Sequence, residues 1–349
     1  MIVSAFRSSA LTLLITLLLT LAIREPVRAA EIDPALVAAA KKEGRVVLYT
    51  PMIVDQIVRP LGAAFREKYG IEVQYQRLDS AAVVLKILNE YRARRSEADV
   101  FSTSLGIESL IASKAARKIE SASAAELPAH YKDAEGYWAA NRLYVLGPAM
   151  NTRLVKAEDF PKTFEDLLDP KYTGKIVWRR NNLTGATGFV GNVLVTMGEE
   201  KGMEYLRRLS RQRLITVSIS DRAVLDQIIA GEYAMTIAMT NHNVEISRKQ
   251  GAPVAWSPLE TAMVFSEQMG LTTLSTRPNA GKLFLEYAIS REGQTVFQKA
   301  GYIPTHPAVP PLEPKLLPAG GGFKGNVFTP DFVAKNRKRW DEIVETMFR

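Results

Sequence analysis

Short β-like runs alternate with amphipathic helical runs along most of this 349-residue chain, a pattern that commits it to an α/β fold with a mainly parallel sheet. The run RVVLYT at 45–50 reads as the first strand, and a helix with Ile57, Val58, Leu61 and Phe65 on one face follows. IEVQYQ at 71–76 is the second strand. Ser80 then caps a helix that places Val84, Ile87, Leu88 and Tyr91 on one side. ADVFS at 98–102 is the third strand. The pattern resumes with strand KIVW at 175–178, the turn LTGATG at 183–188 and a helix carrying Phe189, Val190, Val193, Leu194 and Met197. Strands LITVS (214–218) and AMTIAM (234–239) follow, with SISD at 218–221 read between them as a capping box. Thr329 caps a last helix with Pro330 in its first turn and Phe332, Val333, Asn336, Trp340, Ile343, Val344 and Met347 along it.

Two longer runs, RLYVLGPAM (142–150) and AMVFSEQMGLTTL (262–274), lie between these units and read as crossing strands. If the chain enters the second unit through one and leaves through the other, that unit is an insertion in the first. The expected division is a first lobe of 30–143 and 268–349, C-terminal helix included, and an inserted second lobe of 144–267.

The N-terminus addresses the chain. Arg7 precedes an apolar run from Ala10 to Ile23 broken only by Thr12, Thr16 and Thr20, and Val27 and Ala29 fit a signal-peptidase site. The run is shorter than the roughly 20 residues of a bilayer span. It is read as an export signal, residues 1–29, cleaved after Ala29. The sequence has no cysteine, which excludes disulfides, thiolate metal sites, a cysteine nucleophile and a lipid-modified N-terminal cysteine. Residues 30–349 keep 42 basic and 36 acidic groups, a net charge of +6. That charge is dispersed, with RARR (92–95) the densest cluster and no nucleic-acid motif beside it. No nucleic-acid partner is expected.

The strings GRVVLYT (44–50), SEADVF (96–101), AMNTRLV (149–155), FPKTFEDLLDPKYTGKI (160–176), GEYAM (231–235), GAPVAW (251–256), NAGKLFLEYAISREGQ (279–294) and GYIPTHPAV (301–309) run in order along nearly the whole chain. Together they make it resemble the extracellular solute-binding proteins of ABC importers, in the branch with ferric-iron, polyamine, thiamine and phosphorylated-compound receptors. The resemblance implies the type II periplasmic-binding-protein fold: two α/β lobes joined by two crossing hinge strands, with a solute between them. It implies a periplasmic monomer that closes on its solute and serves a membrane permease and a separate ATPase subunit. No cofactor and no catalysis are expected. The sequence holds no Ser/His/acid set and no GxxxxGK phosphate loop. A ferric-iron or polyamine receptor and a periplasmic sensing subunit are the alternatives, and an enzyme of the same fold comes last.

The resemblance also places the iron ligands of that branch, two tyrosines, a carboxylate and a histidine, on Asn241, His242, Ser104 and Ile53. None is the residue that hard ferric iron prefers. The expected chemistry is instead an anion cradle for a phosphate ester, phosphonate or carboxylate. Arg179 and Arg180 follow strand 175–178, with Asn181 and Asn182 behind them, and Thr184, Gly185, Thr187 and Gly188 sit at the next helix start. Guanidinium forks match such anions, although strand alternation lets one of the two arginines face away. Strand ends that topology brings to the same cleft add Thr50, Met52, Asp79, Ser80, Ser102, Thr103, Ser104, Asn241, His242 and Asn243. Tyr49 and Tyr144 read as core residues, and His130 and His306 as structural or exposed. Glu260 and Glu267, if turned to the cleft, favour a solute with an amino group as well as an acid.

Overall fold

Two long strands buried at every position decide the architecture, because such strands must be covered on both faces. In a computed structural model, which describes residues 32–180 and 182–348, these strands lie at the middle of one hydrogen-bonded sheet. The expected export signal, residues 1–29, and Asn181 lie outside the described residues. The first run of elements is α1 (Pro34–Glu43), β1 (Arg45–Thr50), α2 (Arg59–Tyr69), β2 (Glu72–Arg77), α3 (Ser80–Arg92), β3 (Val100–Thr103), α4 (Ile107–Ala112), β4 (Ala116–Arg117), α5 (Ala122–Ala125) and the long β5 (Ala139–Asn151). The second is β6 (Ile176–Arg179), α6 (Ala186–Met197), α7 (Glu199–Ser210), β7 (Ile215–Val217), α8 (Asp221–Ala230), β8 (Met235–Thr240), α9 (Asn241–Lys249) and β9 (Val254–Trp256). The chain returns through the long β10 (Thr261–Thr272) to α10 (Pro278–Ile289), α11 (Arg291–Lys299), α12 (Pro318–Gly321), β11 (Lys324–Phe328) and α13 (Pro330–Met347).

The strand order is β2-β1-β3-β10-β5-β8-β6-β7. The flanks are parallel, β1 with β2 and β3, and β6 with β7 and β8. The centre is antiparallel, where β10 pairs with β3 and β5, and β5 with β8. Every residue of β5 and β10 is buried. These are the two crossing strands, and the α/β lobes on either side make the fold a type II binding-protein architecture. One core packs Val46, Leu48, Phe65, Val100, Phe284 and Tyr287. The other gathers Trp178, Phe189, Val190, Leu206, Trp340 and Val344.

Three local expectations differ from the structure. Asp79, not Ser80, is the N-cap of α3, its side chain accepting from the Ala82 N–H. This frees the Ser80 hydroxyl for Ser104. The cap of α8 is Ser220, two residues beyond the Ser218 of the expected box, because its oxygen reaches the Ala223 N–H. The largest difference is α13, expected with the first lobe. Its apolar face, Val333, Trp340, Ile343 and Val344, joins the core around α6 instead. Gly191 of α6 makes room for it, since a Cβ there would come within 2.9 Å of the Trp340 ring.

Candidate functional site

A cleft of about 610 Å³ opens where the two lobes face each other. On the first-lobe side it is lined by Ser104, Leu105 and Gly106 after β3 and by Glu108 in the first turn of α4. Leu183 stands opposite, just ahead of α6. Phe265, Ser266 and Gln268 of β10 form its floor, and one flank of α13 closes it.

The expected residues fall into three groups. Ser104 alone lines the cleft directly. Its neighbours form a hydrogen-bonded layer behind it. Ser80 Oγ lies 3.1 Å from Ser104 Oγ and accepts from the Ser104 N–H at 3.2 Å. Thr103 Oγ1 donates to the Leu105 carbonyl at 2.6 Å, and Thr50 Oγ1 and Ser102 Oγ are 2.7 Å apart. Thr50 Oγ1 also accepts from the Met52 N–H at 3.1 Å, while the Met52 side chain is in the first lobe's core. These groups position the cleft edge rather than face it.

The second group is the expected anion cradle, and much of it is engaged by the protein's own carboxylates. Arg179 donates to Asp221 at 2.9 Å, and Thr184 Oγ1 donates to the other oxygen of that carboxylate at 2.6 Å. Asn182 Oδ1 accepts from the Thr184 N–H at 2.8 Å and lies 2.8 Å from the Thr184 hydroxyl. Thr187 Oγ1 donates to Asp341 of α13 at 2.5 Å. Gly185 is the N-cap of α6 and gives it no side-chain cap. A Cβ there would lie 2.6 Å from the Arg179 carbonyl. Arg180 is exposed. The ion pair of Arg179 is thus structural, and Arg180 is the cation left at this turn.

The third group sits under the crossing strands. Asn241 Nδ2 donates to the Leu316 carbonyl at 2.7 Å. His242 is fully buried, its ring centroid 5.5 Å from that of Tyr144 and 5.0 Å from that of Tyr302. Its Nδ1 has no partner. Burial pushes this imidazole down to about 3, and the nearby Arg142 adds to the effect. Beside it lies a cluster that sequence reasoning largely missed. Arg142 Nη2 donates to Glu267 Oε2 at 2.5 Å and to Tyr144 Oη at 2.6 Å, and Tyr144 donates to the same Glu267 oxygen at 2.5 Å. Glu267, one of two carboxylates that could have turned to the cleft, is wholly buried and held by Arg142. Glu260 likewise accepts from the Phe164 N–H, at 3.0 Å. Tyr144 joins the core as expected, stacking on Phe265 with 4.7 Å between centroids.

Among the described residues no three His, Cys, Asp or Glu side chains are grouped to hold a metal, and no helix is long and apolar enough to cross a membrane. Two lobes, two crossing strands and a cleft between them are the layout of a type II binding protein. Residues 96–320 match the model of the bacterial extracellular solute-binding protein family, and the chain belongs to that family.

Iron uptake protein A1 of Synechocystis is 22% identical over 216 residues, and the chain spans 59% of that relative's length. Among solved structures, iron-bound HitA from Pseudomonas aeruginosa superposes with a TM-score of 0.70 at 19% identity, over 86% of this chain and 99% of that one. AfuA from Actinobacillus pleuropneumoniae with bound fructose-6-phosphate gives 0.66 at 19% identity, over 87% and 99%. At these identities the likeness establishes the fold.

Proposed function

We propose that this chain is the periplasmic receptor of an ABC importer, taking a small solute between a first lobe built from 30–143 and the chain after 268 up to α13, and a second lobe built from 144–267 with α13 packed on it. Closed on its solute, it docks on a membrane permease served by a separate ATPase. The observation that carries this reading is the 610 Å³ cleft, lined by Ser104 from one lobe and Leu183 from the other. A solute touching both lobes stabilises the closed arrangement by its extra contacts there.

The solute we propose carries an anionic group, a phosphate ester, phosphonate or carboxylate, near the start of α6. Support comes from exposed Arg180, from the uncapped N-terminus at Gly185 and from the sugar phosphate held by AfuA. Arg179 and Thr187 lend no weight, being matched by Asp221 and Asp341. Against ferric iron stand Ile53, Ser104, Asn241 and His242, the residues at the positions where the resemblance places that branch's iron ligands.

Titration of the purified protein with phosphate esters, phosphonates and dicarboxylates tests both levels. Binding is expected to contract the particle in small-angle scattering. At a hundred times its dissociation constant a ligand adds ~2.7 kcal/mol of stability. Arg180→Ala is expected to weaken binding about tenfold, within the range of one charge-assisted hydrogen bond. Unchanged affinity in that variant removes the anion site. No contraction with a solute of any charge removes the importer reading.

A further inference from the structure

The crossing strands have a front and a back, and the two differ. Side chains along them alternate in direction. Tyr144 and Phe265 turn to one face, and Phe265 lines the cleft there. Leu143, Val145 and Val264 turn to the other, where Ile303 and Leu316 cover them. On that back face the lobes touch. Gly301, just past α11, lies so close to α9 that a Cβ on it would be 3.2 Å from Ile246 Cγ1. The space left in this seam is about 20 Å³, lined by Ile246 and Lys249 of α9 and by Tyr302, Pro311 and Leu312. That is room for about one water, against 610 Å³ at the front. The front is open and the back is shut.

One segment bridges the shut seam, and it is tied down on both sides. After α11 the chain is held to the first lobe. The Ile303 carbonyl accepts from the Leu143 N–H at 2.9 Å, Thr305 Oγ1 donates to the Ala140 carbonyl at 2.7 Å, and Gln298 Nε2 of α11 donates to the Pro310 carbonyl at 2.6 Å. It is next held to α9 of the second lobe. Glu313 pairs with Lys249 at 2.8 Å, and the Leu316 carbonyl accepts from Asn241 Nδ2 at 2.7 Å. Only Pro311 and Leu312 lie between the two sets of ties, and Leu312 is 50% exposed. The rings of Pro310, Pro311 and Pro314 fix φ at their positions. From Pro310 to Glu313 the chain can reach ~11 Å at most.

Two bodies that rotate about β5 and β10 obey a simple rule: bringing the cleft walls together parts the faces behind them. We propose that the segment from Pro310 to Leu316 is a strap across the back of the hinge, which limits how far the lobes close and holds the empty protein open. Closure must then be driven by the contacts a solute makes with both lobes. A slack strap lets the empty protein populate the closed arrangement, which raises its apparent affinity. This rests on the reading of the cleft as a solute site between hinged lobes, and it goes beyond that reading by naming what resists the hinge.

The test needs no solute. Ala81→Cys, beside Ser80, and Lys335→Cys, beside Ala334, put spin labels at exposed positions on the two rims of the cleft. The sequence has no other cysteine to label. Pulsed dipolar spectroscopy on the ligand-free chain from residue 30 reads the distance between the rims. Two glycines inserted between Pro311 and Leu312 add up to ~7 Å of reach, and the mean rim distance is expected to fall by at least ~3 Å. Glu313→Gln combined with Gln298→Ala is expected to shift it the same way by less. Deletion of Leu312 is expected to shift it the other way. Circular dichroism and thermal unfolding show that each variant is folded, and the point variants decide if a change of length unfolds the chain. A rim distance unchanged in both the insertion and the point variants overturns the strap, as does one that grows. Either result leaves the receptor reading standing, because that reading fails only when no solute contracts the particle.

Discussion

A single buried imidazole gives the protein a pH signature. His242 is neutral in the folded state, with its pKa near 3, whereas an unfolded histidine titrates near 6.5. Between those values the unfolded chain binds a proton that the native state refuses. Stability from this residue is therefore full above pH ~6.5 and is lost as pH falls towards 3, with a slope of up to ~1.4 kcal/mol per pH unit. His242→Gln is expected to flatten this part of the stability curve, measured by urea unfolding between pH 7 and pH 4. An unchanged slope would show that other groups carry it. At Gly188 the constraint is steric, since a Cβ would lie 1.9 Å from the Leu183 carbonyl oxygen. Gly188→Ala must push α6 away from the turn that precedes it, and a loss of ~1–3 kcal/mol or more is expected in thermal unfolding.

At the scale of elements, the register of β5 on β10 decides how the lobes are joined. Arg142 lies opposite Glu267, and the register shifts between Glu267 and Gln268. The Arg142–Glu267 pair closes this irregularity inside the protein, where removing one partner leaves an uncompensated charge. Glu267→Leu alone is expected to cost ~3–5 kcal/mol, while Arg142→Met with Glu267→Leu recovers most of it. A double-mutant cycle by denaturant unfolding measures the difference, and equal losses in the single and double variants would refute the coupling. The strands and most helices were legible because their periodicity is local: β1 was read at 45–50 and found there, and β10 was expected at 262–274 and runs from Thr261 to Thr272. Site chemistry was less legible. Nothing near Arg179 in sequence announces Asp221, 42 residues away. Arg142, Tyr144 and Glu267 meet only because two strands 125 residues apart pair in one register. The charged stretch of α13 reads as a solvated face, since periodicity shows which side of a helix is polar and not what faces it.

For the whole molecule, the division into lobes does not follow the chain. The last helix supplies Val333, Trp340, Ile343 and Val344 to a core otherwise built from residues between 144 and 265 and from Phe328 and Phe348. Trp340 is 2% exposed and lies 5.4 Å, centroid to centroid, from Phe328. Trp340→Ala is expected to cost ~3–5 kcal/mol by cavity formation. The loss should appear as earlier melting of the lobe around α6, seen as faster amide hydrogen exchange there than around α10. Uniform exchange in both lobes would show that they unfold as one unit. The same packing sets a timetable for maturation. Ribosomes release the C-terminal residues last, so the hydrophobic bed of α6 stays uncovered until synthesis is complete. A chain that stops short of Pro330 would leave that bed bare.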